Sequence, residues 1–236
     1  MSSTRNPGRV AGWLYLVMTL LGLFTLMYVP TKLIVPGNAA ATASNILSSE
    51  MLYRFSIAVG LVSSVLFLFL ARALYRLLNV VHEGYASLMV ILVVISVAIG
   101  FAFSVLDLGA LLVLRGGDYL TVFSQPQREA LAMLFIRSSG QGTVVSEIFW
   151  GLWLFPFGAL VFRSGFLPRI LGVLLLINGA AYLVASLTGL LLPAYAGIVN
   201  QIAMIPETGE IWIMLWLLIK GARPQPLEAA KQAVAG

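Results

Sequence analysis

Six long apolar stretches decide the solvent in which this chain can fold. Crossing ~30 Å of hydrocarbon takes about 20 mostly apolar residues. Such stretches cover residues 10–29, 51–78, 85–114, 143–162, 170–192 and 198–219. Charged residues make up 10% of the chain, against about a quarter in a soluble domain. The surface is therefore built to face lipid. Backbone inside hydrocarbon must satisfy its own hydrogen bonds, which leaves helices or a closed barrel. None of the stretches carries a Pro/Gly cluster strong enough to demand a strand. The sequence predicts an all-α membrane protein, a bundle of six transmembrane helices with a short outer amphipathic helix. The spans and their loops use nearly all 236 residues, so a single integral membrane domain is expected.

The first stretch competes with a signal peptide, because Ala39-Ala40-Ala41 mimics a cleavage site. Signal cores run about 7–15 residues, and this one is longer, so it reads as a retained helix. Basic residues set the orientation. With both termini inside, Arg5, Arg9, Arg72, Arg76, Arg163, Arg169, Lys220, Arg223 and Lys231 face the cytoplasm. Lys32, Arg54, Arg115, Arg128 and Arg137 face out, a split of 9 to 5.

Several connections have their own signals. Ser124-Gln125-Pro126-Gln127 has the form of a capping box with proline in the first turn. Leu131, Leu134, Phe135 and Ser138 then recur at helical spacing, which predicts the amphipathic helix on the outer interface. Residues 39–50 are expected to extend the second helix upward, with Glu50 and Arg54 paired four apart. Gly165 can end the fourth helix and Pro168 begin the fifth. The tail after Gly221 is expected to fray or form a loose helix.

Composition removes whole classes of chemistry. With no cysteine, disulfides, thiolate metal sites and cysteine nucleophiles are out. His82 is the single histidine, so a multi-histidine metal cluster is out, and beside Glu83 on an inner loop it reads as solvated surface. A net charge of +5 does not predict nucleic-acid binding, because the basic residues flank spans and form no face. No metal or cofactor is predicted, and neither a nucleophile elbow nor a dinucleotide motif is present.

Small and polar residues form a stripe on each span, as helix packing in lipid requires. Gly12 and Tyr15 mark the first span and Ser96, Gly100 and Ser104 the third. Glu147, Gly151 and Gly158 mark the fourth, and Asn178 and Tyr182 the fifth. An ionisable group deep in a bilayer costs about 2.5–3.5 kcal/mol even on the lenient scale. The acids on these stripes are therefore the candidate site. Glu210 is placed near mid-membrane with Glu207 one turn higher. Glu147 is placed in the outer third and Asp107 near the outer boundary. Pro206 is expected to kink the last helix. Arg54 is the nearest candidate counter-charge.

Two readings stay open. One is a cavity open to the outside, formed by Asp107, Glu147, Glu207, Glu210 and Arg54, that binds a cation or small polar molecule. The other is an architectural network in which Arg54 pairs one acid and the rest are neutral. At the level of function these become a binding or transport protein, an accessory subunit packed on another membrane protein, or an intramembrane lipid-modifying enzyme, the last least supported. Arg163 and Arg169 are candidate contacts for inner-leaflet lipid phosphates.

The run Phe155-Pro156-Phe157-Gly158-Ala159-Leu160-Val161-Phe162-Arg163-Ser164-Gly165-Phe166-Leu167-Pro168-Arg169-Ile170-Leu171-Gly172 resembles the signature of the domain of unknown function (DUF) 4386 family. The opening Arg9-Val10-Ala11-Gly12-Trp13-Leu14-Tyr15-Leu16, Glu210, and the closing Leu215-Trp216-Leu217-Leu218-Ile219-Lys220-Gly221 are similar to that family too. The resemblance implies a multi-pass protein of the bacterial plasma membrane. It implies no activity and no catalytic residues.

Overall fold

A computed structural model describes residues 6–223. The tail expected to fray lies, from residue 224 on, outside the described residues, as do Arg5 and Lys231. Among the described residues there are helices and turns and no strand. Five helices are long and apolar enough to cross a membrane, and six if one bent pair counts as a span. In order they are Pro7–Leu33, Glu50–Leu78, Glu83–Arg115, Gln125–Arg163 and Arg169–Leu191, then the pair Pro193–Ala203 and Pro206–Ile219, bent by 48°.

The first span is α1 (Pro7–Gly22), a π-helical turn over Leu23–Tyr28, and α2 (Val29–Leu33). Pro30 offers no N–H, and its ring would clash with the carbonyl one turn back. The widened turn relieves this, and the Val29 N–H reaches back to Phe24 O. Residues Ala39–Ser48 form a separate helix, α3, rather than an extension of the next. Asn38 caps its start by accepting from Ala41 N–H. Ser49 breaks it with non-helical backbone, φ −126° and ψ 39°. Two bonds tie α3 to the chain before it: Asn45 donates to Leu33 O at 3.3 Å, and Thr42 Oγ1 accepts from Val35 N at 3.0 Å.

After α3 come α4 (Glu50–Leu78) and α5 (Glu83–Arg115). His82 sits at the start of α5 as a cap, its Nδ1 accepting from Tyr85 N–H at 3.2 Å and its ring stacked on Tyr85. Then α6 runs unbroken over Gln125–Arg163. The amphipathic stretch is thus helical but continuous with the fourth span. Glycines at 140 and 142 each cost about 1 kcal/mol relative to alanine. Packing offsets that, for Gly142 lies flat against the Phe103 ring, where a Cβ would overlap it. The start of α6 matches the capping-box expectation, with the Gln127 carboxamide accepting from Ser124 N–H at 2.8 Å. Gly165 has φ +73°, Pro168 is the N-cap of α7 (Arg169–Leu191), and α8 (Ala196–Ala203) and α9 (Gly209–Ile219) follow.

The chain divides into two compact units. Unit 1 comprises Met1–Val17, Leu66–Val97 and Val144–Gly236, and unit 2 comprises Met18–Val65 and Ala98–Thr143. In unit 1, backbones meet at glycines. A Cβ on Gly151 would lie 2.7 Å from Gly179 O, and one on Gly158 would lie 2.9 Å from Gly172 O. The two pairs are seven residues apart on both α6 and α7, so one seam joins the antiparallel helices. A second seam joins α1 to the end of α9. Gly12 packs on the backbone of Leu217 and Leu218, and Gly8 on Ala222. Gly8 N–H donates to Ala222 O at 2.9 Å, and Asn6 Oδ1 accepts from both Gly8 and Ala222 N–H at 3.0 Å. Trp153 and Phe157 stack at 5.3 Å between the seams, with Phe67 edge-on to Trp153.

The core of unit 2 is smaller-grained. Val29, Leu33, Ala43, Ile46, Tyr53, Ala110, Leu111 and Ile136 form one buried cluster there. The expected Glu50–Arg54 pair is present at 2.7 Å, with Arg115 joining Glu50 at 3.8 Å.

These contacts predict a sharp contrast between glycines. Gly179→Leu forces a side chain onto the Gly151 carbonyl and costs about 1–3 kcal/mol. At Gly60 nothing lies within 4 Å of an added Cβ, so Gly60→Ala is neutral or stabilising by up to about 1 kcal/mol through helix propensity. Unfolding of the purified protein by SDS from mild detergent measures both; equal effects would contradict the seam.

Candidate functional site

Pro206 shapes the site before any acid enters it. The chain breaks between α8 and α9, a single 3-10 turn spans Pro206–Thr208, and α9 starts afresh at Gly209. Gly209 lets that start press on α7, where a Cβ would lie 2.7 Å from Leu174 O. Glu207 and Glu210 are thereby delivered beside Asn178.

Asn178 is fully buried on α7. Its Nδ2 donates to Glu207 O at 3.1 Å and to Glu210 Oε2 at 3.4 Å. From the other side Tyr15, also buried, donates its hydroxyl to Glu210 Oε1. Tyr182, one turn beyond Asn178 on α7, interacts with the same carboxylate. Glu147 on α6 lies within electrostatic range of Glu207 and Tyr182, and Trp150 sets its ring edge-on to Tyr182 at 6.2 Å. One buried atom in the cluster has no partner: Asn178 Oδ1 accepts no hydrogen bond. A buried unpaired acceptor of this kind costs about 1–3 kcal/mol.

Of the predicted residues, Glu147, Glu207 and Glu210 thus come together in unit 1. Asp107 stands in unit 2 with its own partners: Ser139 Oγ donates to Oδ2 at 2.8 Å, and Tyr53 donates to the Asp107 main-chain carbonyl at 3.2 Å. Arg54 is bound by Glu50. Among the described residues no basic side chain forms an ion pair with Asp107, Glu147, Glu207 or Glu210. Nor do three His, Asp or Glu side chains form a group able to hold a metal ion.

Arg163 and Arg169 are exposed at the two ends of the α6–α7 turn. Arg163 lies over the Tyr85 ring at 5.4 Å and Arg169 over Phe162 at 5.8 Å. Buried Ser164 closes that turn by donating to Val161 O and accepting from Leu167 N–H. Tyr15, Asn178 and Tyr182 were legible only as members of packing stripes. The signal that could have marked them is chemical: each carries a hydrogen-bonding group into hydrocarbon, where a partner is required.

The chain belongs to the DUF4386 family. That family's model, described as a domain of unknown function, matches residues 10–221. A curated relative from Archaeoglobus fulgidus, named only as an uncharacterized protein, is 36% identical over 76 residues, which is 32% of this chain and 44% of that protein. The chain therefore spans less than half the length of the curated relative that it matches. No solved structure matches.

If Tyr15 and Glu210 are joined as described, their energies are coupled. A double-mutant cycle of Tyr15→Phe with Glu210→Gln should return coupling near the upper end seen for membrane helices, about 1.7 kcal/mol. The readout is unfolding in detergent, and additive effects would mean that the bond is absent.

Proposed function

We propose that this DUF4386 protein binds a small cation or a protonated polar ligand at the Glu210 cluster, as a step in moving it across or sensing it at the membrane. The observation that carries the reading is the buried Asn178 Oδ1, unpaired among the described residues, beside Glu210, with Glu207 in electrostatic range of both Glu210 and Glu147. The orphan atom there is an acceptor, and among the described residues no basic side chain forms an ion pair with the acids. A positively charged guest satisfies the oxygen and the carboxylates together. The absence of a three-ligand metal arrangement among the described residues favours a singly charged guest over a divalent metal.

Reconstituted or detergent-solubilised protein is titrated with sodium chloride or ammonium chloride at constant ionic strength, with choline chloride as the balance. Melting temperature and tryptophan emission are followed, Trp150 being placed to report through Tyr182. Wild type is stabilised by at least one of the two ions. Glu210→Gln weakens that ion at least about tenfold, equivalent to about 1.4 kcal/mol, and Asn178→Leu does the same. An unchanged response in Glu210→Gln removes the site.

We also propose a multi-pass protein of a bacterial plasma membrane with both ends cytoplasmic. The reading rests on the 9-to-5 split of basic residues. The pairing of α1's first turn with the end of α9 also supports it, since it puts both ends of the described chain together. A fluorescent protein fused after Gly236 should glow, and alkaline phosphatase at the same position should be inactive; the reverse pattern inverts the topology.

A further inference from the structure

One face of α1 in unit 1 borders an open groove of about 810 Å³. Asn6, Arg9, Val10, Trp13, Leu14 and Val17 line it, with Leu66 and Arg223 opposite. Their spacing of three and four residues is one continuous stripe of a helix. The stripe is sorted by chemistry. Arg9 and Arg223 stand at the end where the chain leaves the membrane-spanning segment, and Trp13, Leu14, Val17 and Leu66 line the remainder. Among the described residues no acidic side chain lines it, and neither arginine forms an ion pair. Arg9 uses one N–H on Ile219 O at 3.1 Å, which leaves the rest of its fork open.

We propose that this groove holds a single anionic phospholipid, with its phosphate between Arg9 and Arg223 and an acyl chain along Trp13, Leu14, Val17 and Leu66. Three observations converge on that occupant. The two guanidinium groups match the charge and fork geometry of a phosphate. The twelve residues from Asn6 to Val17, eleven helical steps, rise about 16 Å, close to the ~15 Å depth of one hydrocarbon leaflet. Trp13 is 59% exposed, set one turn inside the arginines, where an indole favours the boundary of headgroup and hydrocarbon. The site is separate from the Glu210 cluster and from the Arg163–Arg169 turn.

Native mass spectrometry of the full chain in mild detergent tests it, with dioleoyl phosphatidylglycerol and dioleoyl phosphatidylcholine as probes. Wild type retains phosphatidylglycerol preferentially. Each arginine contributes about fivefold to that preference. Arg223→Gln therefore weakens phosphatidylglycerol about fivefold, and Arg9→Gln with Arg223→Gln about 25-fold, with phosphatidylcholine unchanged. Val17→Trp fills the apolar part and lowers retention of both lipids. Because Arg9 also holds Ile219 O, the double variant could lose its fold. Arg223→Gln alters only an exposed side chain and keeps the test decisive. Equal retention of the two lipids by wild type overturns the proposal. So does undiminished phosphatidylglycerol binding in Arg223→Gln, or no response to Val17→Trp.

Discussion

Backbone contact between α6 and α7 at Gly151–Gly179 and Gly158–Gly172 sets the spacing on which the rest of unit 1 depends. Lipid tails are as apolar as leucine, so burial of leucine against leucine gives helices no reason to associate. Close approach of backbones does, because it multiplies short-range attraction along the whole seam. The same seam aims the polar groups. Glu147 lies one turn from Gly151 on α6. Asn178 and Tyr182 flank Gly179 on α7. Bringing the glycines into contact therefore brings those side chains to one line, and Gly209 then admits α9 with Glu210.

The two kinds of intramembrane acid are held differently. Asp107 is closed off, with Ser139 on one carboxylate oxygen and Tyr53 on its own carbonyl. Those bonds join α4, α5 and α6 within unit 2. Asp107 there acts as a cross-tie. Glu210 has donors too, Tyr15 and Asn178, but its surroundings contain an orphan acceptor and two further acids. A set of groups assembled for architecture alone would end with its hydrogen bonds complete.

The helical class and the positions of the spans were legible because lipid imposes a length and a composition that few sequences meet by accident. Gly165, the Ser124–Gln127 box and the Pro206 break were legible because each rests on one residue's backbone chemistry. The separation of α3 from α4 at Ser49 was not, since Ser49 is no strong breaker and the cause is long-range: Asn45 and Thr42 bond the chain near Leu33 and Val35. The continuity of α6 through Gly142 was hidden for the same reason, because Phe103 from α5 packs against that glycine. Which acids share a unit was not legible either, and Asp107 fell with different partners from those of Glu147, Glu207 and Glu210.

The glycine seams and the polar cluster make separate contributions to the fold. Replacing a buried polar network with apolar side chains of similar volume is often neutral or stabilising by about 1–4 kcal/mol, while a lone unpaired acceptor costs about 1–3 kcal/mol. The seams at Gly8, Gly12, Gly151 and Gly158 already hold α1, α6, α7 and α9 together. They do so without needing an acid at 210 or an amide at 178. Leucine at both positions would remove the orphan oxygen, but it would also leave the buried Tyr15 hydroxyl without its acceptor and Glu207 O without its donor. The guest proposed for the Glu210 cluster would complete the bonding that the described groups leave open at Asn178 Oδ1.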